Sequence, residues 1–393
     1  MTFDFRFLYM SHISPYPIRG GEKIRAAGLI QLLSNLGSVQ AIVGNEASEK
    51  VPGAEVLPNV KFHPFDFLKH MKPVARYYME NKALVQHIEQ ILRQDPIDVV
   101  VIDYQFYGKY IRFFQKRGIP VIYGTHNSEA QLTRQEISHY SGKKALEKWL
   151  LYHFQLLHER LYFPQADGFM VVSEQDKAYY AQWVHPQKII KIPNFIYPEL
   201  YPDFEREQSN INPEKIVMTA NFTVFQNQDG LEWFLKKVWH PFRLFEYFEL
   251  LLIGRGSQEI LEQMVCNDIT QRVSATGEID SISDSLKDAR IAVVPLRYGS
   301  GTRLKILEAM WHKIPLVVTS PGAEGIQGND KKHFLIADDP QTFAQHLMTL
   351  QSDKERQSII EQANSLLHQE YTLEVNQRRF LAFLKQTMEL PRK

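Results

Sequence analysis

Short apolar runs alternate with helix-period stretches along almost the whole chain. An uninterrupted apolar run bounded by turn formers is typical of a strand that is buried on both faces, as in a parallel sheet. In the first half, such runs occupy residues 5–13, 98–104, 119–125, 168–173 and 188–193. Helical spacing lies between them, for example over residues 22–36 and 143–163. The pattern predicts an α/β domain in which helices cover a parallel sheet.

The same alternation restarts after residues 193–213, a segment rich in proline and turn formers. Further strand runs follow at residues 215–222, 248–256, 290–296, 315–320 and 333–338, and a last helical pattern covers residues 373–390. We predict two Rossmann-like, doubly wound domains, residues 1–195 and residues 196–371, with a C-terminal helix of about residues 372–393 packing back onto the first. The two sheets are expected to face an interdomain cleft lined by the carboxyl ends of their strands.

Length and composition agree with this division. A chain of 393 residues is longer than one core usually supports, and 44% hydrophobic with 23% charged residues is typical of a globular protein. Lys plus Arg and Asp plus Glu are both 45, so the chain lacks the overall basic charge of a dedicated nucleic-acid binder, and no nucleic-acid partner is expected. The single cysteine, Cys266, excludes an intrachain disulfide and a cysteine-based zinc site.

No segment has the pattern of a signal peptide or a membrane span, because charged residues such as Asp4 and Arg6 interrupt the apolar start. We therefore expect a cytoplasmic protein, with attachment to the inner face of the membrane left open. Residues 62–78 mix basic and aromatic side chains. They would either contact a lipid-linked acceptor at a membrane surface or form a solvated basic helix.

The segment YGSGTRLKILEAM, residues 298–310, joins a glycine-rich turn to a helix directly after a strand run. Gly299 and Gly301 permit a close backbone approach that a side chain would prevent. The free amides at a helix start favour an anion, and a diphosphate would suit that position.

One face of this predicted helix is polar and carries Lys305, Glu308 and His312, so it could meet a ligand. The opposite face has the spacing of a core contact, with Leu304 and Leu307. The alternative is that Lys305 and Glu308, three positions apart, form an ordinary surface ion pair.

These features resemble the retaining glycosyltransferases of family 4, also called group 1, which have the two-domain GT-B architecture. The resemblance covers nearly the whole chain and depends on the motifs PYPIRGGEKIR, GTHNSE, IPNF, LLLIGRG, TGEIDS, GSGTRLKILEAM and IPLVVTSPGAEGI. It implies that Glu308 binds the ribose hydroxyls of a nucleotide-sugar donor, since a carboxylate can accept two hydrogen bonds from a vicinal diol. It also implies that basic side chains and the backbone of the turn bind the diphosphate; the candidates are Arg303, Lys305, Ser300, Gly301 and Thr302.

The resemblance extends to both halves of the chain. Gly20 and Gly21 match the first-domain loop that approaches the donor phosphates, although a simple turn before a helix would explain them too. His126 matches a histidine that contacts the donor sugar. Glu278 and Ile279 match the stretch whose backbone reads the nucleotide base, and an ordinary loop is the alternative.

Two departures from the family pattern are visible. The family pattern has two glutamates with seven residues between them; the first is replaced by Ser300, and no Arg-Lys pair is evident after the first strand of the second domain. Phosphate neutralisation is therefore left to Arg303, Lys305 or Arg255. No Asp-x-Asp motif is evident, so we expect neither a catalytic metal nor a resident cofactor.

The resemblance implies transfer of a sugar from a nucleoside-diphosphate sugar, the co-substrate, to a hydroxyl of a glycan, lipid-linked or small-molecule acceptor, as in polysaccharide biosynthesis. The anomeric configuration would be retained, and a donor phosphate oxygen would receive the acceptor proton, so we assign no protein nucleophile. Two alternatives stay open: a sugar-nucleotide epimerase of the same architecture, and a non-catalytic nucleotide-sugar-binding protein.

Overall fold

The chain was analysed as a computed structural model that describes residues 4–16, 18, 20–43, 55–57, 82–103, 105–138, 140–202, 211–264, 268–279, 282–298 and 303–389. Its internal contacts divide it into two compact units. The first comprises Met1–Asn194 together with Asn376–Lys393, and the second comprises Phe195–Val375. Residues 62–78, Cys266 and the turn at residues 299–302 lie outside the described residues.

The first unit is built on a parallel sheet of seven strands in the order β3-β2-β1-β4-β5-β6-β7. Its strands are β1 (Phe5–Ser11), β2 (Gly37–Ile42), β3 (Glu55–Leu57), β4 (Val99–Asp103), β5 (Val121–Gly124), β6 (Gly168–Val171) and β7 (Ile189–Lys191). Every residue of β4, β5 and β6 is buried, which explains why these strands show no alternation of apolar and polar residues; Asp103, at the end of β4, is their only charged residue.

Helices connect these parallel strands, as such crossovers require. Those of the first unit are α1 (Gly21–Ser34), α2 (Lys82–Gln94), α3 (Ile111–Gln115), α4 (Glu129–Ile137), α5 (Gly142–Tyr162) and α6 (Glu174–Tyr180). They cover a core that includes Leu8, Val100, Phe114 and Phe169.

The second unit has a parallel sheet of six strands in the order β10-β9-β8-β11-β12-β13. The strands are β8 (Lys215–Thr219), β9 (Glu249–Ile253), β10 (Val273–Ala275), β11 (Ile291–Val294), β12 (Leu316–Val318) and β13 (Leu335–Ile336). The helices are α7 (Phe225–Trp233, continued by a π-helical segment Phe234–Trp239), α8 (Ser257–Met264), α9 (Ile282–Leu286), α10 (Leu304–Trp311), α11 (Ser320–Ala323), α12 (Pro340–Thr349) and α13 (Asp353–Glu370). The last helix, α14 (Leu373–Glu389), begins in this unit and belongs to the first unit from Asn376 onward. The prediction of two Rossmann-like parallel sheets with flanking helices is confirmed.

Three strands were not predicted. β2 follows α1 after two residues, so the pattern analysis read Gly37 only as a helix end, although it is the first residue of the strand. β3 and β10 have three residues each and lie at sheet edges. Short edge strands carry little apolar periodicity, because they are not buried on both faces.

Candidate functional site

In both sheets the strand order reverses between two neighbouring central strands, β1 and β4 in the first unit and β8 and β11 in the second. The loops that leave these strands at their carboxyl ends run in opposite directions along the sheet. Doubly wound folds bind ligands at this switch point, because the diverging loops leave a crevice. Of the predicted site residues, Gly20 and Gly21 follow β1, and Arg303, Lys305 and Glu308 follow β11.

In the second unit, the helices that follow β8 and β11 are held together across the switch point. Lys305 Nζ on α10 donates a hydrogen bond to Asn227 Oδ1 on α7 at 3.1 Å. Arg297, just after β11, donates from Nε to Asp229 Oδ2 at 2.7 Å. A Cβ on Gly230 would lie 2.7 Å from the backbone oxygen of Pro295, so only glycine permits this approach of α7 to the strand end.

Arg303 occupies the residue just before α10 and its side chain is buried. Nη2 donates to the backbone oxygen of Pro321 at 3.4 Å, while Nε has no hydrogen-bond partner within the described part of the chain. Burial lowers the pKa of this guanidinium, and attraction to Glu324 opposes that shift. A buried cationic donor without a partner is costly, and an anionic ligand at the start of α10 would satisfy it.

Lys305 extends from the first turn of α10 toward Asn227. Burial of its ammonium group, followed by repulsion from Arg303, lowers the pKa of Lys305 to about 7, while Glu308 acts in the opposite direction. A bound anion would raise this pKa again, because negative charge nearby favours the ammonium form.

Glu308 is buried on α10 and accepts a hydrogen bond from the Tyr201 hydroxyl at Oε1, at 2.8 Å. Burial raises the pKa of Glu308, whereas the bond from Tyr201 and the charge of Lys305 lower it. Within the described residues Oε2 accepts no hydrogen bond, so one carboxylate oxygen is held in place and the other is available. The surface ion pair considered as the alternative is wrong: Lys305 and Glu308 bind Asn227 and Tyr201, respectively.

His312, which was predicted on the same polar face, is fully buried. Its Nδ1 lies 2.8 Å from the backbone oxygen of Glu308, and its Nε2 lies 3.0 Å from Ser283 Oγ. It therefore ties the end of α10 to α9 and does not face a ligand.

The remaining candidates of the second unit occupy neighbouring loops at the same edge of the sheet. Arg255 follows β9; its side chain is exposed and its backbone oxygen accepts from the Phe222 amide at 2.7 Å. Glu278 and Ile279 follow β10, exposed and half-buried, respectively. Ser300, Gly301 and Thr302 lie outside the described residues, so their donor-binding roles stay predictions.

In the first unit, strand register places three residues in a row at the carboxyl edge: Ser11 pairs with Asp103, and Asp103 pairs with Gly124. His126 follows two residues later and is buried with Nε2 at 2.7 Å from Asp103 Oδ2. The Tyr9 hydroxyl donates to the same oxygen at 2.7 Å. The predicted His126 is thus oriented by a carboxylate on the adjacent strand.

Arg25 on α1 is a second buried arginine near this group, and it neutralises part of the carboxylate charge. Its Nη1 donates to the Ile192 backbone oxygen at 3.0 Å, while Nε and Nη2 have no partner among the described residues. Burial would raise the pKa of Asp103, yet the charge and hydrogen bond of His126, together with Arg25 and Tyr9, hold it below its usual value. Burial lowers the pKa of Arg25 itself.

Asp103 and Arg25 were not assigned a role from the sequence. Asp103 ends a predicted buried strand, and a carboxylate at that place was a usable signal, since ligands of doubly wound sheets meet the carboxyl ends of strands. Arg25 ends the motif PYPIRGGEKIR, but nothing in the sequence indicated that its side chain is buried, because one cation in a helix is ordinarily solvated.

The predicted glycines precede and begin α1. Gly20 has φ 87°, a left-handed value that favours glycine, and nothing lies within 4 Å of the position that its Cβ would take. Gly21 is the first helical residue, and both are exposed. The backbone conformation therefore favours glycine at position 20, but no neighbouring atom would clash with a side chain there.

Two family models match different parts of the chain. The model described as Glycosyltransferase Family 4 matches residues 26–200, and the model described as Glycosyl transferases group 1 matches residues 213–353. An uncharacterized 44.6 kDa protein in the cps region of Klebsiella pneumoniae is 30% identical over 168 residues, which are 41% of this chain and 42% of that protein. The match thus spans less than half the length of that relative.

Solved structures are similar over the whole chain. Sucrose-phosphate synthase from Thermosynechococcus elongatus has a TM-score of 0.72 at 17% identity, covering 97% of this chain and 98% of that one. HepE of Anabaena in complex with UDP has a TM-score of 0.66 at 14% identity, covering 97% and 100%. WaaG, a glycosyltransferase involved in lipopolysaccharide biosynthesis, has a TM-score of 0.65 at 13% identity, covering 96% and 98%. At these identities the likeness shows that the fold is GT-B.

Proposed function

This chain belongs to the group 1, family 4 glycosyltransferases, and we propose that it transfers a sugar from a nucleoside-diphosphate sugar to a hydroxyl acceptor with retention of the anomeric configuration. The observation that carries the proposal is the arrangement of three side chains at the start of α10, one just before the helix and two on it. Three groups lie within six positions of the chain. Arg303 is a buried guanidinium whose Nε lacks a partner among the described residues, Lys305 is a cation, and Glu308 is a carboxylate with one available oxygen.

The two cations are suited to the leaving group. As the glycosidic bond breaks, negative charge grows on the diphosphate, and donors that are already in place stabilise that charge without reorganising. The Nε of Arg303 lacks a partner, and the pKa of Lys305 near 7 lets a bound phosphate restore its positive charge. The predicted amides of Ser300, Gly301 and Thr302 would act on the same group.

Glu308 is suited to the ribose of the donor. The Tyr201 hydroxyl fixes Oε1, so the carboxylate cannot rotate freely and Oε2 keeps one orientation. Hydrogen bonds from a diol to a carboxylate are charge-assisted and contribute more than neutral ones. Arg255, Glu278 and Ile279, in loops at the same sheet edge, are the further donor contacts that we propose.

In the first unit we propose that Gly20 and Gly21 approach the donor phosphates and that His126 contacts the transferred sugar. Asp103 supports the role of His126, because a carboxylate at 2.7 Å from Nε2 sets the ring orientation. Since no group on this chain is assigned as nucleophile, we propose that the donor phosphate oxygen accepts the proton of the acceptor hydroxyl. The acceptor is a glycan, a lipid-linked sugar or a small molecule, and the reaction is proposed to need no metal.

The test compares Glu308→Ala and Glu308→Gln with the unaltered protein. UDP-glucose is the first donor to assay, because HepE has been solved with UDP-glucose, and other nucleotide sugars follow as a panel. Glu308→Gln keeps an acceptor for Tyr201 but loses the charge, so we expect nucleotide binding to weaken roughly tenfold to a hundredfold without unfolding. Calorimetric titration with the nucleoside diphosphate measures this, and Glu259→Gln, at an exposed position on α8, is the matched control.

Turnover separates the proposed reaction from its alternatives. We expect nucleoside-diphosphate release to depend on an acceptor and the product to keep the anomeric configuration of the donor in an NMR spectrum. Interconversion of the donor without an acceptor would instead identify an epimerase. Tight donor binding without turnover over a broad acceptor panel would identify a binding protein.

A further inference from the structure

The long helix α5 (Gly142–Tyr162) exposes apolar side chains to solvent and buries polar ones. Five large apolar side chains on it are exposed: Leu146 (57%), Trp149 (48%), Leu150 (55%), Leu157 (64%) and Leu161 (52%). The buried positions on the same helix are polar, namely Gln155, His158 and Glu159. A helix that packs on a core normally has the opposite arrangement.

The exposed side chains form one continuous stripe. Leu146, Leu150, Leu157 and Leu161 recur at spacings of four and seven, which place them on one face of an α-helix. His153 fills the gap in this series, and its ring lies against Trp149 with centroids 4.1 Å apart. The ends of the stripe, Leu146 and Leu161, are fifteen positions apart, so it is roughly 22 Å long at 1.5 Å per residue. We call Leu146, Trp149, Leu150, Leu157 and Leu161 the outer stripe.

Basic side chains flank the outer stripe. Lys143 and Lys144 are exposed near its start and Arg160 is exposed near its end, whereas Glu147 is the only exposed carboxylate on the helix. Lys148 is half-buried and paired with Glu136 on α4. Lys143 Nζ lies 4.0 Å from Glu147 Oε1, so three exposed cations stand against one exposed carboxylate and the rim of the stripe carries a net positive charge.

We propose that the outer stripe of α5 docks onto an anionic lipid surface, with the helix axis parallel to the membrane plane. Leucines and a tryptophan would enter the boundary between headgroups and acyl chains, and the lysines and the arginine would bind anionic headgroups. This combination of an apolar face and a cationic rim is complementary to such a surface in both polarity and charge.

A second copy of the chain fits the outer stripe less well. One helix face about 22 Å long and about 10 Å wide gives a footprint of a few hundred Å², below the roughly 800 Å² per partner of a stable interface. The positive rim would also meet itself across a symmetric contact. Among the described residues no helix is long and apolar enough to cross a bilayer.

The experiment is co-sedimentation of the full chain with vesicles. Vesicles of phosphatidylcholine mixed with phosphatidylglycerol are compared with vesicles of phosphatidylcholine alone. We expect binding to the anionic vesicles and at least a tenfold loss of that binding in the double variant Leu150→Glu with Leu157→Glu. Phe242→Glu, which changes an exposed apolar side chain of the second unit in the same way, is the matched control and should bind as the unaltered protein does.

Two further readouts separate insertion from charge attraction. Trp149 is the only one of the five tryptophans with an exposed side chain, so its emission should shift to shorter wavelength on anionic vesicles, and Trp149→Phe should abolish the shift. Lys143→Glu with Lys144→Glu should weaken binding and reduce its dependence on salt.

Three outcomes would overturn the proposal. One is equal vesicle binding by the Leu150→Glu, Leu157→Glu variant, provided that its circular dichroism spectrum is unchanged. Another is absence of binding by the unaltered protein. The third is a dimer in sedimentation velocity that the double variant converts to a monomer, which would identify the stripe as a contact between copies. Because none of these measurements uses a donor, their result is independent of the proposed transfer reaction.

Discussion

At the scale of single residues, the charge of Lys305 depends strongly on its surroundings. Burial and the neighbouring Arg303 bring its pKa to about 7, so in the unliganded protein it changes charge near physiological pH. The neutral amine cannot stabilise the charge that develops on a diphosphate. Donor capture by the free enzyme should therefore require the protonated form.

We predict that kcat/KM for the donor falls as the pH rises above about 7, by up to roughly tenfold per pH unit, since kcat/KM reports groups of the free enzyme. Lys305→Arg keeps its charge throughout this range, and its profile should lack this decline. Initial rates of nucleoside-diphosphate release at several pH values provide the measurement. Lys236→Arg, at an exposed position, is the control, and identical profiles for Lys305→Arg and the unaltered protein would contradict the role of Lys305.

At the scale of elements, a fully buried carboxylate on α5 is hydrogen-bonded to both α4 and α6. Glu159 on α5 is fully buried and accepts hydrogen bonds from the Ala130 amide at 3.2 Å and from the Tyr179 and Tyr180 hydroxyls at 3.3 Å each. Burial raises the pKa of Glu159 to about 7, although the three hydrogen bonds favour the charged form. The protonated acid therefore suits the folded protein better than the unfolded chain.

The sign of the resulting pH dependence follows from the raised pKa. The folded protein binds this proton more tightly, so the stabilising contribution is present below the pKa of the unfolded chain and is lost as the pH rises through about 7. Glu159→Gln lacks the titration. The unaltered protein should therefore lose stability between roughly pH 5.5 and pH 8, whereas the variant should not. We predict that the free energy of unfolding of Glu159→Gln minus that of the unaltered protein increases by about 2 kcal/mol over this range. Urea unfolding at both pH values measures this, and a constant difference would show that Glu159 does not titrate in the range.

At the scale of the whole molecule, the last helix connects the chain's end with its beginning. α14 starts in the second unit, but from Asn376 onward it belongs to the first. Phe380, Phe383 and Leu384 are buried there. A Cβ on Gly168 would lie only 2.7 Å from the Phe383 ring, which is too close for a side chain at position 168. The glycine that begins β6 thus makes room for an aromatic ring from about two hundred residues later in the sequence.

We predict that Phe383→Ala destabilises the first unit by roughly 3–5 kcal/mol, because it removes a buried aromatic ring and leaves a cavity. Met388→Ala, at an exposed position on the same helix, should cost less than about 0.5 kcal/mol. Hydrogen exchange resolved by peptide is the measurement, and protection should decrease in β6 (Gly168–Val171) without a matching change in β12 (Leu316–Val318). Equal effects of the two substitutions would show that the helix end does not stabilise the first unit.

Local sequence was sufficient where an element is buried along its whole length. The runs that became β4, β5, β6 and β11 carry no charged residue except Asp103 at the end of β4, and the structure buries all of their residues. The helix that was predicted after the glycine-rich turn is present as Leu304–Trp311. Edge strands such as β10 escaped prediction, since a three-residue segment without a buried face resembles a loop.

For the candidate site, the sequence by itself determined that Lys305 and Glu308 share one helix, where helical geometry sets their spacing, and that Arg303 adjoins its first turn. Only the tertiary structure decided their partners: Tyr201 reaches Glu308 from 107 positions away, Asn227 reaches Lys305 from 78, and Asp103 reaches His126 from a neighbouring strand. It also decided the altered pKa of Lys305 and the exposed leucines of α5. The physical reason is that hydrogen-bond partners, burial and charge environment arise from segments distant in the chain, and no local pattern of residues encodes which of them will meet.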